Sequence, residues 1–113
     1  MSSTIQVCNF EEDVLATSQR LPVLVDFWAE WCTPCKSLYT VLEDMAEDGE
    51  GSFLLAKLDV GANRELAASL GVESLPAIKL YHKGEELEGM TGTMAKMHLR
   101  TFLSRNIPGW DGG

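Results

Sequence analysis

The run "VLVDFWA", residues 23 to 29, is apolar on both faces except at Asp26. A strand with one wet face alternates apolar and polar side chains. A run that is apolar at both parities needs cover on both sides. It therefore predicts a central strand, paired on both edges and packed between helices. A second run, "FLLAKLDV" over 53 to 60, has the same character and is interrupted at Lys57. Two such strands in a chain of 113 residues suit one α/β domain.

The segments between them read as helices. Asn9 followed by Glu12 predicts a capping box that opens a helix through about Ser18. From about Pro34 to Glu47, Leu38, Val41, Leu42, Met45 and Ala46 recur at helical spacing, and Gly49 and Gly51 end that helix. Residues 63 to 71 form a short helix between Asn63 and Gly71. Ile5 to Val7 is a short first strand, and 76 to 92 are two strands joined by a turn at Lys83-Gly84. Residues 93 to 105 predict a last amphipathic helix with Met94, Met97, Phe102 and Leu103 apolar. The expected order is β-α-β-α-β-α-β-β-α: a central mixed five-stranded sheet flanked by four helices, with an antiparallel hairpin at one edge. Residues 1 to 106 make the domain, and 107 to 113 are expected to be a flexible tail.

Net charge argues about partners. At −8, the chain repels phosphate backbones and anionic headgroups, so neither nucleic acid nor a membrane surface is an expected partner. The acidic residues are dispersed and read as solvated faces rather than paired catalytic carboxylates. The N-terminus has no basic segment followed by an apolar one, and no apolar run approaches the roughly 20 residues that span a bilayer. A cytoplasmic monomer is expected. Three cysteines are too few for a secreted disulfide framework, and in a reducing compartment a CxxC points to redox chemistry or a metal.

Cys32 and Cys35 lie in "EWCTPCK", at the end of the buried strand and the start of the next helix. Pro34 fits the first helical turn. Cys32 thus sits among unpaired N–H groups and positive partial charge, which favours the thiolate, the nucleophilic form. Cys35, one turn on, is deeper. Cys32 is expected to attack a partner disulfide, and Cys35 then to attack Cys32 and release the reduced partner. Two other readings compete. A zinc site needs four ligands, and Cys8, His82 and His98 lack ligand spacing to the pair. Two inert core cysteines are the other. Cys8 itself is expected to be a free structural thiol.

Asp26 is anomalous, since charging a carboxyl in an apolar interior is costly. Lys57 is its natural partner if the two strands are neighbours. Either both reach solvent at strand ends, or Asp26 is a buried proton acceptor for Cys35. Pro76 opens a strand, where its missing N–H must be tolerated.

These residues carry a resemblance. "VDFWAEWCTPCK", the Lys in "AKLDV", "LGVESLPAIKLYHKGE" and Gly92 make residues 4 to 106 resemble the thioredoxin family. The resemblance implies the thioredoxin fold, a reversible Cys32–Cys35 disulfide, a cis peptide before Pro76, and Asp26 with Lys57 as the buried proton-handling pair. It implies a flat apolar docking surface of Trp31, Pro34, Val60, Leu75, Pro76 and Gly92, with Thr33 between the first cysteine and the proline. It implies protein-disulfide clients, recharging by an NADPH-dependent flavoprotein reductase, and no bound cofactor or metal. Three positions depart from the family pattern. Thr33 replaces a usual glycine and leaves the direction of electron flow open. Thr40 replaces a common helix-kinking proline, and Ser74 a common glycine. The competing functions are a thiol oxidase or disulfide isomerase, and a redox-inactive adaptor.

Overall fold

The computed structural model describes residues 4–49, 51–107 and 110. β1 (Ile5–Gln6), β2 (Val23–Trp28), β3 (Leu54–Asp59), β4 (Ala77–His82) and β5 (Glu85–Thr91) form one sheet in the order β1-β3-β2-β4-β5. β1, β3 and β2 are parallel, β4 is antiparallel to β2, and β5 is antiparallel to β4. β2 is therefore paired on both edges, as its two-faced apolarity predicts.

Side chains alternate across β2 and supply two core layers. Leu24 joins Leu55, Ile78 and Leu80 against α1 (Thr33–Asp48) and α3 (Lys96–Asn106), which contribute Leu38, Leu42, Met45, Leu99, Phe102 and Leu103. Val23, Val25 and Phe27 face the other way with Ala56, Leu58, Ala77 and Tyr81. That layer is covered by Val14 of the N-terminal helical segment and by Leu66 of α2 (Arg64–Ser69). Each fully buried Leu or Phe contributes about 1.5–3 kcal/mol.

The N-terminal helix forms but is not an ordinary α-helix. It is π-wound over Glu11–Ala16 and tightens to 3₁₀ over Thr17–Gln19. Half of the expected capping box is present: the Glu12 N–H donates to Asn9 Oδ1 at 3.1 Å. The return contact comes from Asp13 instead, whose carboxylate accepts the Cys8 and Asn9 N–H groups at 2.8 and 2.9 Å. The Asn9 and Cys8 bonds hold the Asp13 carboxyl below its usual range.

The hairpin turn falls at Lys83-Gly84 as expected, both residues left-handed at φ 58° and 78°. Its tip is pinned by Ser18, whose hydroxyl accepts the Gly84 N–H at 2.9 Å and donates to the Leu15 carbonyl at 2.7 Å. α1 runs unbroken through Thr40, whose hydroxyl donates to the Lys36 carbonyl at 3.3 Å.

Two expectations fail at the C-terminal end. The last helix starts at Lys96, after extended Ala95, rather than at residue 93. This phase turns Leu99, Phe102 and Leu103 inward, and Met97, two residues before Leu99, points out with 73% of its surface exposed. The tail is not loose at Ile107 and Trp110, which are 1% and 6% exposed and belong to the α1/α3 core layer. The rest of that predicted tail lies outside the described residues. Trp110 packs where Gly49 has no side chain: a Cβ there would sit 2.7 Å from the indole nitrogen. Trp110→Ala is expected to lower stability by about 3 kcal/mol in urea unfolding, because the core loses an aromatic that nothing else can replace.

Candidate active site

β2 ends at Trp28, and the chain turns so that the Cys32 N–H donates to the Ala29 carbonyl at 3.0 Å. Cys32 caps α1, with Pro34 in the first turn. The Cys35 N–H donates to Cys32 Sγ at 3.2 Å. Cys32 and Cys35 are joined by a disulfide, with 5.4 Å between their Cα atoms. Cys32 is 5% exposed and Cys35 1%. Cys32 is thus the outer sulfur, as expected, though far less open than a strand-end residue suggested. When the pair is reduced, the helix N-terminus and the Cys35 N–H both favour negative charge on Cys32.

Asp26 is fully buried, and among the described residues its carboxyl oxygens have no hydrogen-bond partner. Burial pushes it up to about 7, against the pull of the Lys57 charge. Lys57 is its register partner on β3, so the reading in which Asp26 reaches solvent at a strand end does not hold. The two form no ion pair among the described residues. The Lys57 ammonium lies instead 4.6 Å from the centroid of the Trp28 ring and 4.0 Å from that of Tyr39. A cavity of about 180 Å³ is lined by Trp28, Cys35, Lys36, Tyr39 and Lys57, joining the inner cysteine to the lysine.

The predicted docking residues converge on the pair. Val60 and Leu75 pack against Cys32 and Cys35. Trp31, 73% exposed, shares with them a hollow of about 320 Å³ that continues to Ala67 and Val72, with Arg64 and Glu73 among its lining. Pro34 and Pro76 share a separate hollow of about 260 Å³ with Val41 and Met94. The Leu75–Pro76 peptide is cis. Gly92, at φ +86°, donates its N–H to the Pro76 carbonyl at 2.8 Å, a conformation that disfavours any side chain. Thr33 is exposed and makes no bond to the Cys32 sulfur among the described residues. Ser74 is exposed and lines the larger hollow.

Cys8 is free, as expected, but exposed, so it has no structural role in the core. Among the described residues no cluster of three or more His, Cys, Asp or Glu side chains gathers as a metal site, and no helix is long and apolar enough to cross a membrane. Sequence reasoning missed Tyr39, Arg64 and Glu73. Tyr39 was findable: four residues after Cys35, it occupies the same helix face.

A family model described as thioredoxin matches residues 2–105. A curated relative named thioredoxin, from Rickettsia bellii, is 36% identical over 107 residues, covering 95% of this chain and 100% of its own. One from Pseudomonas aeruginosa is 38% identical over 99 residues, or 88% of this chain and 90% of its own. One from Mycobacterium tuberculosis is 40% identical over 109 residues, or 95% and 92%.

Proposed function

Because this chain belongs to the thioredoxin family and is a thiol–disulfide oxidoreductase, we propose that it works as a protein-disulfide reductase in the cytoplasm, as a monomer. The Cys32 thiolate attacks one sulfur of a client disulfide. A Cys32–client S–S bond forms, the client's own S–S bond breaks, and the departing client thiolate takes a proton from solvent. Cys35 then gives its proton to the Asp26 carboxylate and attacks Cys32. The Cys32–Cys35 disulfide forms, and the second client sulfur leaves as a thiolate. Two electrons pass from the pair to the client. An NADPH-dependent flavoprotein reductase returns them, and the chain itself needs no cofactor.

The observation that carries the reading is the Cys35 N–H on Cys32 Sγ at 3.2 Å, at the N-terminus of a 16-residue helix. It gives the two sulfurs unequal roles, an outer nucleophile and an inner resolver. Lys57 supports the proton step by lying beside the Asp26 strand and the cavity next to Cys35. The docking role of Trp31, Pro34, Val60, Leu75 and Pro76 is supported by their place in the hollows and packing around the pair, that of Gly92 by its bond to Pro76, and that of exposed Thr33 by its position next to Cys32.

Insulin reduction driven by dithiothreitol tests the activity, and titration against a glutathione buffer tests its direction. A pair that stays oxidised in buffers poised near −250 mV is a reductase, because it gives up electrons there; one already reduced at −150 mV is an oxidase. Trp31→Ala is expected to raise KM for insulin about fivefold to tenfold, with turnover of a small aromatic disulfide near wild type. Equal losses on both substrates would place Trp31 in the chemistry and not in docking.

A further inference from the structure

We propose that Tyr39 is a positioning residue of the proton-handling site, its ring face holding the Lys57 ammonium apart from the Asp26 carboxyl beside the cavity that reaches Cys35. The proposal rests on the reading of Asp26 as the proton acceptor.

The grip comes from two elements. Trp28 ends β2 and Tyr39 projects from α1, and the Lys57 ammonium is within cation–π reach of both rings, at 4.6 and 4.0 Å. The Tyr39 ring is itself fixed. Its hydroxyl donates to Glu43 Oε2 at 2.7 Å, one turn further along α1, and hydrogen-bonds with Thr4 beside β1. An unrestrained lysine beside a buried carboxyl with no partner closes on it, since attraction is strong where water is excluded. Lys57 and Asp26 are register neighbours on parallel strands, yet they form no ion pair and Asp26 is left without a hydrogen bond. The two rings account for that separation.

The charged groups around Lys57 leave few alternatives. β2 brings Asp26, and α1 brings Lys36 and Glu43. On β3, Asp59 two residues along is tied to the Gly61 N–H at 2.9 Å. β1 pairs the uncharged Gln6 with Lys57. Glu43 is occupied by the Tyr39 hydroxyl, which leaves Asp26, the register neighbour of Lys57, as the buried carboxyl without a hydrogen bond among the described residues. Contact with Lys57 would hold Asp26 ionised well into acid and weaken it as a base. Separation keeps it able to exchange a proton near neutrality.

The test follows the Asp26 carboxyl by carbon NMR in the reduced protein, alongside the pH profile of mixed-disulfide resolution. The parent is Glu43→Gln, which removes the competing acceptor. Tyr39→Leu in that parent keeps the apolar cover but loses the ring, and is expected to move the Asp26 midpoint down by about 1 unit or more. Tyr39→Phe keeps the ring and is expected to hold the parent's midpoint. An unmoved midpoint in folded Tyr39→Leu, or an equal shift in Tyr39→Phe, overturns the proposal. A midpoint that moves while the resolution profile stays put upholds Tyr39 and sinks the assignment of Asp26 as the base.

Discussion

Cys32→Ser is expected to bring insulin reduction to background, a loss of at least about 10³-fold, while the fold survives. The size follows from the division of labour. Cys32 is the sulfur at the mouth of the helix, 5% exposed against 1% for Cys35, and the one that accepts a backbone N–H. A serine hydroxyl at that place is not ionised near neutrality and forms no S–S bond, and Cys35 is too buried to take over. Cys35→Ser should behave differently. It keeps the nucleophile and loses the resolver, so a client disulfide is expected to trap it as a stable mixed disulfide visible by mass spectrometry. If Cys35→Ser and Cys32→Ser were equally unable to form an adduct, the assignment of roles would be wrong.

Asp26→Ala is expected to make the protein more stable and slower at once. The native carboxyl titrates near 7, raised from 3.8 mainly by burial, with Lys57 acting in the opposite direction. Between those values the folded state binds the extra proton, so stability falls as pH rises through the window and the loss is complete above about 7. Roughly three units correspond to about 4 kcal/mol of destabilisation by the ionised form. Removing the carboxyl recovers this, less about 1 kcal/mol for the void left behind. Urea unfolding should therefore show Asp26→Ala more stable by about 3 kcal/mol at pH 8.5 and no more stable at pH 3. The same change is expected to slow mixed-disulfide resolution on the order of 10²-fold near neutrality, the usual contribution of a positioned base. Turnover at the wild-type rate from pH 6 to 9 would rule that role out.

These two residues also show what a one-dimensional pattern can carry. "VLVDFWA" implies a strand paired on both edges, because no other arrangement covers both of its faces, and Asp26 is buried by the same logic. The position of Cys32 ahead of Pro34 implies a helix cap, because the proline fits only the first turn. Contacts between elements are less legible. The spacing of Met94 and Met97 to Phe102 is helical, but the phase of α3 depends on where extended Ala95 lets the helix begin. Trp110 looks like part of a polar tail until the chain folds back onto the side-chain-free Gly49. Lys57 reads in sequence as the natural partner of Asp26, and the two are register neighbours, yet among the described residues they form no ion pair. The Lys57 ammonium instead faces two rings, one from a strand end and one from a helix.

Differential alkylation of the reduced protein by iodoacetamide, mapped by mass spectrometry near pH 6.5, tests the role of Cys32 most directly. Cys8 is an exposed free thiol just ahead of a helical segment whose first turn carries the acidic Glu11, Glu12 and Asp13, which oppose a thiolate, and it serves as the internal reference. Cys32 is expected to react about tenfold faster than Cys8, with Cys35 left unmodified. Alkylation of Cys8 or Cys35 ahead of Cys32 would contradict the account.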